Sequence, residues 1–204
     1  MSQGYNVAVV GATGAVGEEM LKILDQRNFP LKNIRAIASE RSEGKTVVFQ
    51  GEKVKVENLA TASLKNIDIA LFSAGASISR EFSPRFVKNG AVVIDNSSAF
   101  RMEREVPLIV PEVNPQAVER HKGIIANPNC STIQMVVAIN PIHKRSRIKR
   151  IIVSTFQSVS GTGRDAIIEL RSQAENYLSG KPLVKNCLLY TSPSPRDLST
   201  SRMP

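Results

Sequence analysis

Seven residues near the start of the chain, Gly11-Ala12-Thr13-Gly14-Ala15-Val16-Gly17, constrain its fold more than any other stretch. They follow a short apolar run at residues 6–10 that reads as a strand. They precede "EEMLKILDQR", in which Met20, Leu21 and Leu24 recur on one helical face. Strand, glycine turn and helix in that order open a parallel sheet, because glycines let the chain reverse tightly and let the helix pack close to the strand it leaves. The spacing also lets backbone approach a pyrophosphate, which then rests on the positive end of the helix. A turn needed only for tight packing would show the same glycines. The position at the first strand–helix junction favours the nucleotide, with Gly11 and Gly14 lining it.

The pattern downstream agrees with such a sheet. "IRAIAS" (34–39) reads as the next strand, "KTVVFQGEKVKVE" as a hairpin around Gln50-Gly51, "IDIALFSA" (67–74) as a buried strand, "SREFSPRFVKNG" as a helix closed by Gly90, and "AVVID" (91–95) as another strand. Strands alternating with helices predict an α/β fold with a doubly wound parallel sheet, Rossmann-like. After residue 129 the pattern changes. "STIQMVVAI" predicts a buried helix, "IKRIIVSTFQSVSG" a long strand and "GRDAIIELRSQAENYLSG" a polar-faced helix. The expected division is therefore a nucleotide-binding domain at 1–129, a second segment at 130–186 and a tail at 187–204, where serine, threonine and proline follow no helical or alternating pattern.

The net charge of +9 suits acidic ligands. The one dense basic run, His143-Lys144-Arg145-Ser146-Arg147-Ile148-Lys149-Arg150, has no interleaved aromatics and falls at the end of a predicted helix, where cations complement the dipole. Nucleic acid is not expected as a partner. No apolar run approaches the length of a membrane span, and Cys130 and Cys187 alone make no disulfide framework, so a cytoplasmic protein without a membrane partner is expected. No metal site is expected either.

Cys130 lies in "IANPNCST", where Asn-Pro-Asn is turn chemistry and the following residues are helical. A thiol at a helix start feels the positive end of the dipole, which favours the nucleophilic thiolate. A small buried core residue is the plainer alternative. At the end of the second strand, where an acid usually takes the ribose 2′-hydroxyl of NAD, the chain reads Ser39-Glu40-Arg41-Ser42. Arg41 and the hydroxyls of Ser39 and Ser42 can take a 2′-phosphate and so select NADP. If Glu40 faces the ribose instead, NAD returns.

A nucleotide-binding half followed by a cysteine at a helix start is the arrangement of phosphorylating aldehyde dehydrogenases. "GATGAVG", "ASERS", "DNSSAFR", "VPEVN", "NPNCST" and "FQSVSGTG", in that order, resemble aspartate-semialdehyde dehydrogenase of the bacterial type, from about Tyr5 to about Asn186. N-acetyl-γ-glutamyl-phosphate reductase is a relative whose corresponding stretch resembles N-P-G-C-Y, whereas this chain has Asn129 before the cysteine and Ser131 after it. A nucleotide-binding module without catalysis is the alternative from another class. The resemblance implies an α+β catalytic and dimerisation domain beginning at 130, a homo-oligomer for the full-length enzyme, and NADPH-dependent reduction of L-aspartyl 4-phosphate to aspartate semialdehyde with release of phosphate. It implies Cys130 as nucleophile, Gln157 as the group orienting the acyl, Arg101 as a phosphate-binding cation, and Thr13, Gly14, Ala15, Val16, Arg41, Ser42, Ser160 and Gly161 at the cofactor. For Arg101 an ion pair with Glu103 or Glu105 is the alternative.

The family's histidine base and the arginine for the substrate α-carboxylate come from a later part of its catalytic domain, and the tail at 187–204 has no counterpart there. A possible coding sequence for that tail resembles a sequencing-library adapter read in frame, which implies a gene fragment with a non-native end. Of the two histidines, His121 ends a polar helix and His143 lies thirteen residues beyond Cys130, about 20 Å along a helix. Neither is placed as a base. The 204-residue chain should therefore not turn over, whereas a version extended with the uninterrupted gene should. Phosphate-dependent NADP reduction with aspartate semialdehyde checks this, and comparable rates for the two would contradict it.

Overall fold

The computed structural model describes residues 4–183; Cys187 and the expected tail lie outside the described residues. One compact unit runs to Thr155 and a second begins at Phe156. The first is built on seven strands: β1 (Tyr5–Val10), β2 (Leu31–Ala38), β3 (Thr46–Phe49), β4 (Glu52–Asn58), β5 (Ile69–Phe72), β6 (Val92–Asp95) and β7 (Ile124–Ala126). Its helices are α1 (Ala15–Gln26), α2 (Ala76–Lys88) and α3 (Cys130–Arg145).

The strand order is β3-β4-β2-β1-β5-β6-β7. All neighbours are parallel except β3 and β4, whose antiparallel hairpin turns at Gln50-Gly51, both at positive φ. From β1 the chain moves outward to β2, then returns to the other side through β5. A break in winding direction of this kind opens a crevice at the carboxyl ends of the strands.

Parallel strands bury both faces, and alternation along β1 shows how. Ala8 and Val10 join Ile37, Ala70, Phe72 and Val93 on the side where α2 packs Phe82 and Phe86. Val9 joins Ala36, Ala38 and Val56 on the opposite side, where α1 packs Leu21 with Met20 and Leu24 against them. On the α2 side, Phe72 and Phe86 meet edge to face with ring centres 5.1 Å apart. Across β2 and β4, Arg35 donates from Nε to Glu57 Oε1 at 2.8 Å and from Nη2 to Oε2 at 2.5 Å. Those bonds hold the Arg35 guanidinium above its ordinary pKa.

Three expectations need correction or completion. The strand predicted from "IKRIIVSTFQSVSG" does not form: residues 147–158 carry no regular structure, and a strand exists only where its N–H and C=O groups find a neighbouring ladder. The helix predicted as buried does start at Cys130, but α3 buries none of its side chains, with Val137 and Ile142 exposed. Apolar composition alone does not bury a helix without a second surface to cover it. The three-residue β7 was not anticipated, being too short to show a period.

The second unit contains a 3₁₀ turn at Val159–Thr162 and helix α4 (Arg164–Leu178). Ile168 and Leu170 of α4 are exposed, and Ile167 is partly covered.

The turn between β1 and α1 depends on missing side chains. A Cβ on Gly17 would stand 2.1 Å from the Gly11 carbonyl oxygen, and Gly11 itself has φ +89° against the Ser73 backbone. Neither neighbour can swing aside, since both are backbone. Gly17→Ala should cost roughly 1–3 kcal/mol as an overpacking change, lowering the thermal midpoint by several degrees; an unchanged midpoint in a thermal melt would contradict this packing.

Candidate active site

The crevice at the winding break is a cleft of about 520 Å³, lined at its centre by Gly11, Thr13 and Gly14, with Ser39, Glu40 and Arg41 on one side and Ser73 and Ala74 on the other. Each wall comes from the carboxyl end of a parallel strand. Helix α1 points its N-terminus here, and its N-cap Gly14 brings no capping side chain to the first-turn amides. By geometry those amides lack carbonyl partners within the helix, which makes the turn a donor site for an anion. The Cβ that Gly14 lacks would lie 3.2 Å from the Gly11 oxygen, a tight approach to the turn's own backbone. The donor set, the glycine cradle and the open helix end all fit a dinucleotide.

The segment after β2 turns into a 3₁₀ turn at Glu40–Ser42. Its two charged residues, Glu40 and Arg41, are exposed and both line the cleft. Ser42 is buried, and its Oγ accepts a hydrogen bond from Thr13 Oγ1 at 3.2 Å. That hydroxyl therefore ties the glycine turn to the end of β2. Val16, in the first turn of α1, is 40% exposed.

The thiol lies on the same edge of the sheet. Asn127 follows β7, Pro128 is buried, and Asn129 caps α3 by accepting a hydrogen bond from Ser131 N at 3.1 Å on its Oδ1. Cys130 is the first residue of the helix and is exposed. Exposure at that position answers the plain alternative of a buried core residue. β7 stands three strand positions from β1, through β5 and β6, about 14 Å at 4.8 Å per strand. An extended dinucleotide covers such a span.

Arg101 is half-buried and reaches the thiol's turn. Its Nε donates to the Asn127 carbonyl at 2.9 Å and its Nη2 to the Asn96 carbonyl at 3.0 Å. The alternative partners are engaged elsewhere, Glu103 with Arg80 at 3.5 Å and Glu105 with Lys122. The lysine bond holds the Glu105 carboxyl below its usual range. Asn96 and Asn127, which fix this arginine, were not singled out from sequence. Both lie inside motifs of the sequence, Asn96 in "DNSSAFR" and Asn127 at the start of "NPNCST", which is the signal that points to them.

Gln157, Ser160 and Gly161 belong to the second unit, Gln157 just before its 3₁₀ turn and the other two within it. Ser158 caps that turn by accepting from Ser160 N at 3.4 Å. His121 Nδ1 accepts from Gly123 N at 3.1 Å, and His143 Nδ1 from Ile148 N at 3.2 Å. α3 continues through Pro141, so His143 lies at the end of the helix away from Cys130.

A cleft that fits a dinucleotide and an exposed helix-start thiol share one sheet edge, the arrangement of a Rossmann-like nucleotide-binding domain with a cysteine beside it. Comparison with known proteins narrows that class. Residues 6–121 match the semialdehyde dehydrogenase NAD-binding domain and residues 139–196 the semialdehyde dehydrogenase dimerisation domain. The chain belongs to the semialdehyde dehydrogenase family. It is 57% identical to aspartate-semialdehyde dehydrogenase of Aquifex aeolicus, over 89% of this chain and 54% of that protein. It is 52% identical to the Bacillus subtilis protein of the same name, over 88% and 52%. The crystal structure of aspartate semialdehyde dehydrogenase II of Vibrio cholerae complexed with ASA superposes with a TM-score of 0.88 at 50% identity, covering 91% of this chain and 56% of that one. The chain spans about half the length of the curated relatives it matches. Among the described residues, no helix is long and apolar enough to cross a membrane.

The cofactor choice is testable at the cleft. Arg41→Ala should weaken NADP binding by about tenfold or more, the scale of one charge-assisted hydrogen bond, and leave NAD binding nearly unchanged. Equal losses in a fluorescence titration of both nucleotides would show that Arg41 does not read the 2′-phosphate.

Proposed function

We propose that this chain carries the nucleotide-binding and nucleophile-bearing part of an aspartate-semialdehyde dehydrogenase, which reduces L-aspartyl 4-phosphate to L-aspartate 4-semialdehyde with NADPH. The observation that supports it most is the exposed Cys130 at the first position of α3, on the sheet edge that also holds the glycine-turn cleft. In this reading Thr13, Gly14, Ala15 and Val16 hold the pyrophosphate, Arg41 takes the 2′-phosphate with Ser39 beside it, and Ser42 acts by fixing Thr13. The family resemblance assigns Ser160 and Gly161 to the cofactor as well.

The Cys130 thiolate attacks the acyl carbon of the substrate. The bond from that carbon to the phosphate oxygen breaks, and inorganic phosphate leaves with the electron pair, giving a thioester. Arg101 neutralises the phosphoryl group on arrival and departure, as a fixed planar guanidinium suits an oxygen pair. The family resemblance gives Gln157 the role of orienting the acyl group. When bound, the reduced nicotinamide supplies the hydride that converts the thioester carbon to the aldehyde level. Collapse of the tetrahedral centre then returns the electron pair to Cys130 Sγ and frees the semialdehyde. A homo-oligomer in the cytoplasm and the supply of lysine, threonine and methionine synthesis belong to the same reading.

The test uses a chain of the relatives' full length that carries this sequence. Cys130→Ser should abolish turnover of aspartate semialdehyde and phosphate while NADP still binds with its original affinity. Retained turnover would overturn the nucleophile.

A further inference from the structure

Asp95 ends β6 with its side chain wholly out of solvent, at 0% exposure. An ionisable group is rarely buried unless it is paired or hydrogen-bonded. Its partners come from two elements. Oδ1 accepts from Ser79 Oγ at 2.7 Å and from Ser97 N at 3.2 Å, and Oδ2 accepts from Ser97 Oγ at 2.7 Å. Ser79, on α2, is itself fully buried. Ser97 Oγ in turn accepts from Ala99 N at 3.0 Å. The loop that leads to Arg101 is thus clamped at its first residues by one carboxylate.

The clamp continues into the thiol's turn. The Asp95 carbonyl accepts from Asn127 N at 2.8 Å, and Asn127 Nδ2 donates to Asn96 Oδ1 at 2.6 Å. Arg101 closes the ring by bonding the carbonyls of both asparagines. Every member of the ring is tied to another by a short bond, and Asn127 lies three residues before Cys130. A shift at Asp95 would displace the Ser97 loop that leads to Arg101 against the Asn127 turn, because the Asp95 carboxylate holds the first and the Asp95 carbonyl holds the second.

We propose that Asp95, set by Ser79 and Ser97, is a positioning residue that holds Arg101 and the Asn127–Cys130 turn in one geometry and so fixes the affinity of the site for the phosphoryl group beside the thiol. The inference rests on the reading of Arg101 as the phosphate cation and Cys130 as the nucleophile. Asp95 acts through these residues and touches no reacting atom itself. It should therefore govern phosphate affinity without governing nucleotide affinity, since the cradle of Gly11, Thr13 and Gly14 is built from other strands.

The experiment measures the rate of Cys130 alkylation by iodoacetamide in this chain, read at the Cys130 peptide by mass spectrometry to separate it from Cys187, across a titration with inorganic phosphate. NADP dissociation constants and thermal midpoints are taken for the same samples. In the unaltered chain phosphate should slow the reaction saturably. Asp95→Asn keeps the shape but removes the charge and turns one of the two acceptor oxygens into an N–H donor, and should weaken that protection by about tenfold, the worth of one charged hydrogen bond, with the NADP constant within about twofold. Ser79→Ala removes one bond to the carboxylate and should weaken it by a smaller factor in the same direction. Ser97→Thr keeps the hydroxyl and should retain protection close to that of the unaltered chain. Unchanged protection in Asp95→Asn and Ser79→Ala, or equal losses of phosphate and NADP binding, would overturn the proposal. If Asp95→Asn does not fold, Ser79→Ala decides by the same criteria. Absence of protection in the unaltered chain would overturn the reading of Arg101, and this inference with it.

Discussion

A carbonyl oxygen stands where the side chain of residue 17 would begin. That contact, 2.1 Å between the Gly11 oxygen and a Cβ on Gly17, is what the first helix crossing of the sheet depends on. It brings α1 down onto β1, aims the helix N-terminus into the crevice, and leaves the cradle open around Gly14. The packing of Leu21, Met20 and Leu24 against Val9, Ala36 and Val56 follows from the same close approach. Bulk at this turn would separate helix from sheet and fill the anion site in one step.

The parallel sheet then does for the thiol what the glycine turn does for the nucleotide. Parallel strands end on a common edge, so loops distant in sequence arrive side by side. The turn after β1, the 3₁₀ turn after β2, the Asp95 loop after β6 and the Asn127–Cys130 turn after β7 all reach that edge. The two helix ends differ in a way that matches their work. α1 begins with a glycine that supplies no capping side chain, whereas α3 begins with Asn129, whose side chain satisfies the Ser131 amide and holds the first turn. An open end suits a mobile anion. A capped end holds the turn that carries Cys130 in place.

Most of the sheet was legible from residues alone, because a parallel strand is a short apolar run and a doubly wound domain alternates such runs with helices. Glycines at 11, 14 and 17 marked the cleft, and Asn-Pro-Asn marked the start of α3. What could not be read has physical reasons. The 147–158 segment has the composition of a strand, but composition cannot say whether a ladder partner is alongside. The apolar α3 had the look of a core helix, yet burial depends on what covers it. Ser42 looked like a phosphate ligand from its place after β2, and only the fold shows that its hydroxyl is buried against Thr13. The roles of Asp95, Asn96 and Asn127 were hidden because the ring closes through a hydrogen bond between residues 31 apart in sequence.

The account holds that cleft and thiol, brought to one sheet edge by different loops, face a single carbon atom. The most direct measurement is a crystal structure with NADP bound. The pyrophosphate should lie on Gly14 and the first turn of α1, the adenosine beside Arg41, and the nicotinamide turned along the edge toward β7, with room for one carbonyl group between the ring and Cys130 Sγ. A nicotinamide directed instead toward the β3–β4 hairpin, leaving Cys130 facing solvent alone, would contradict it.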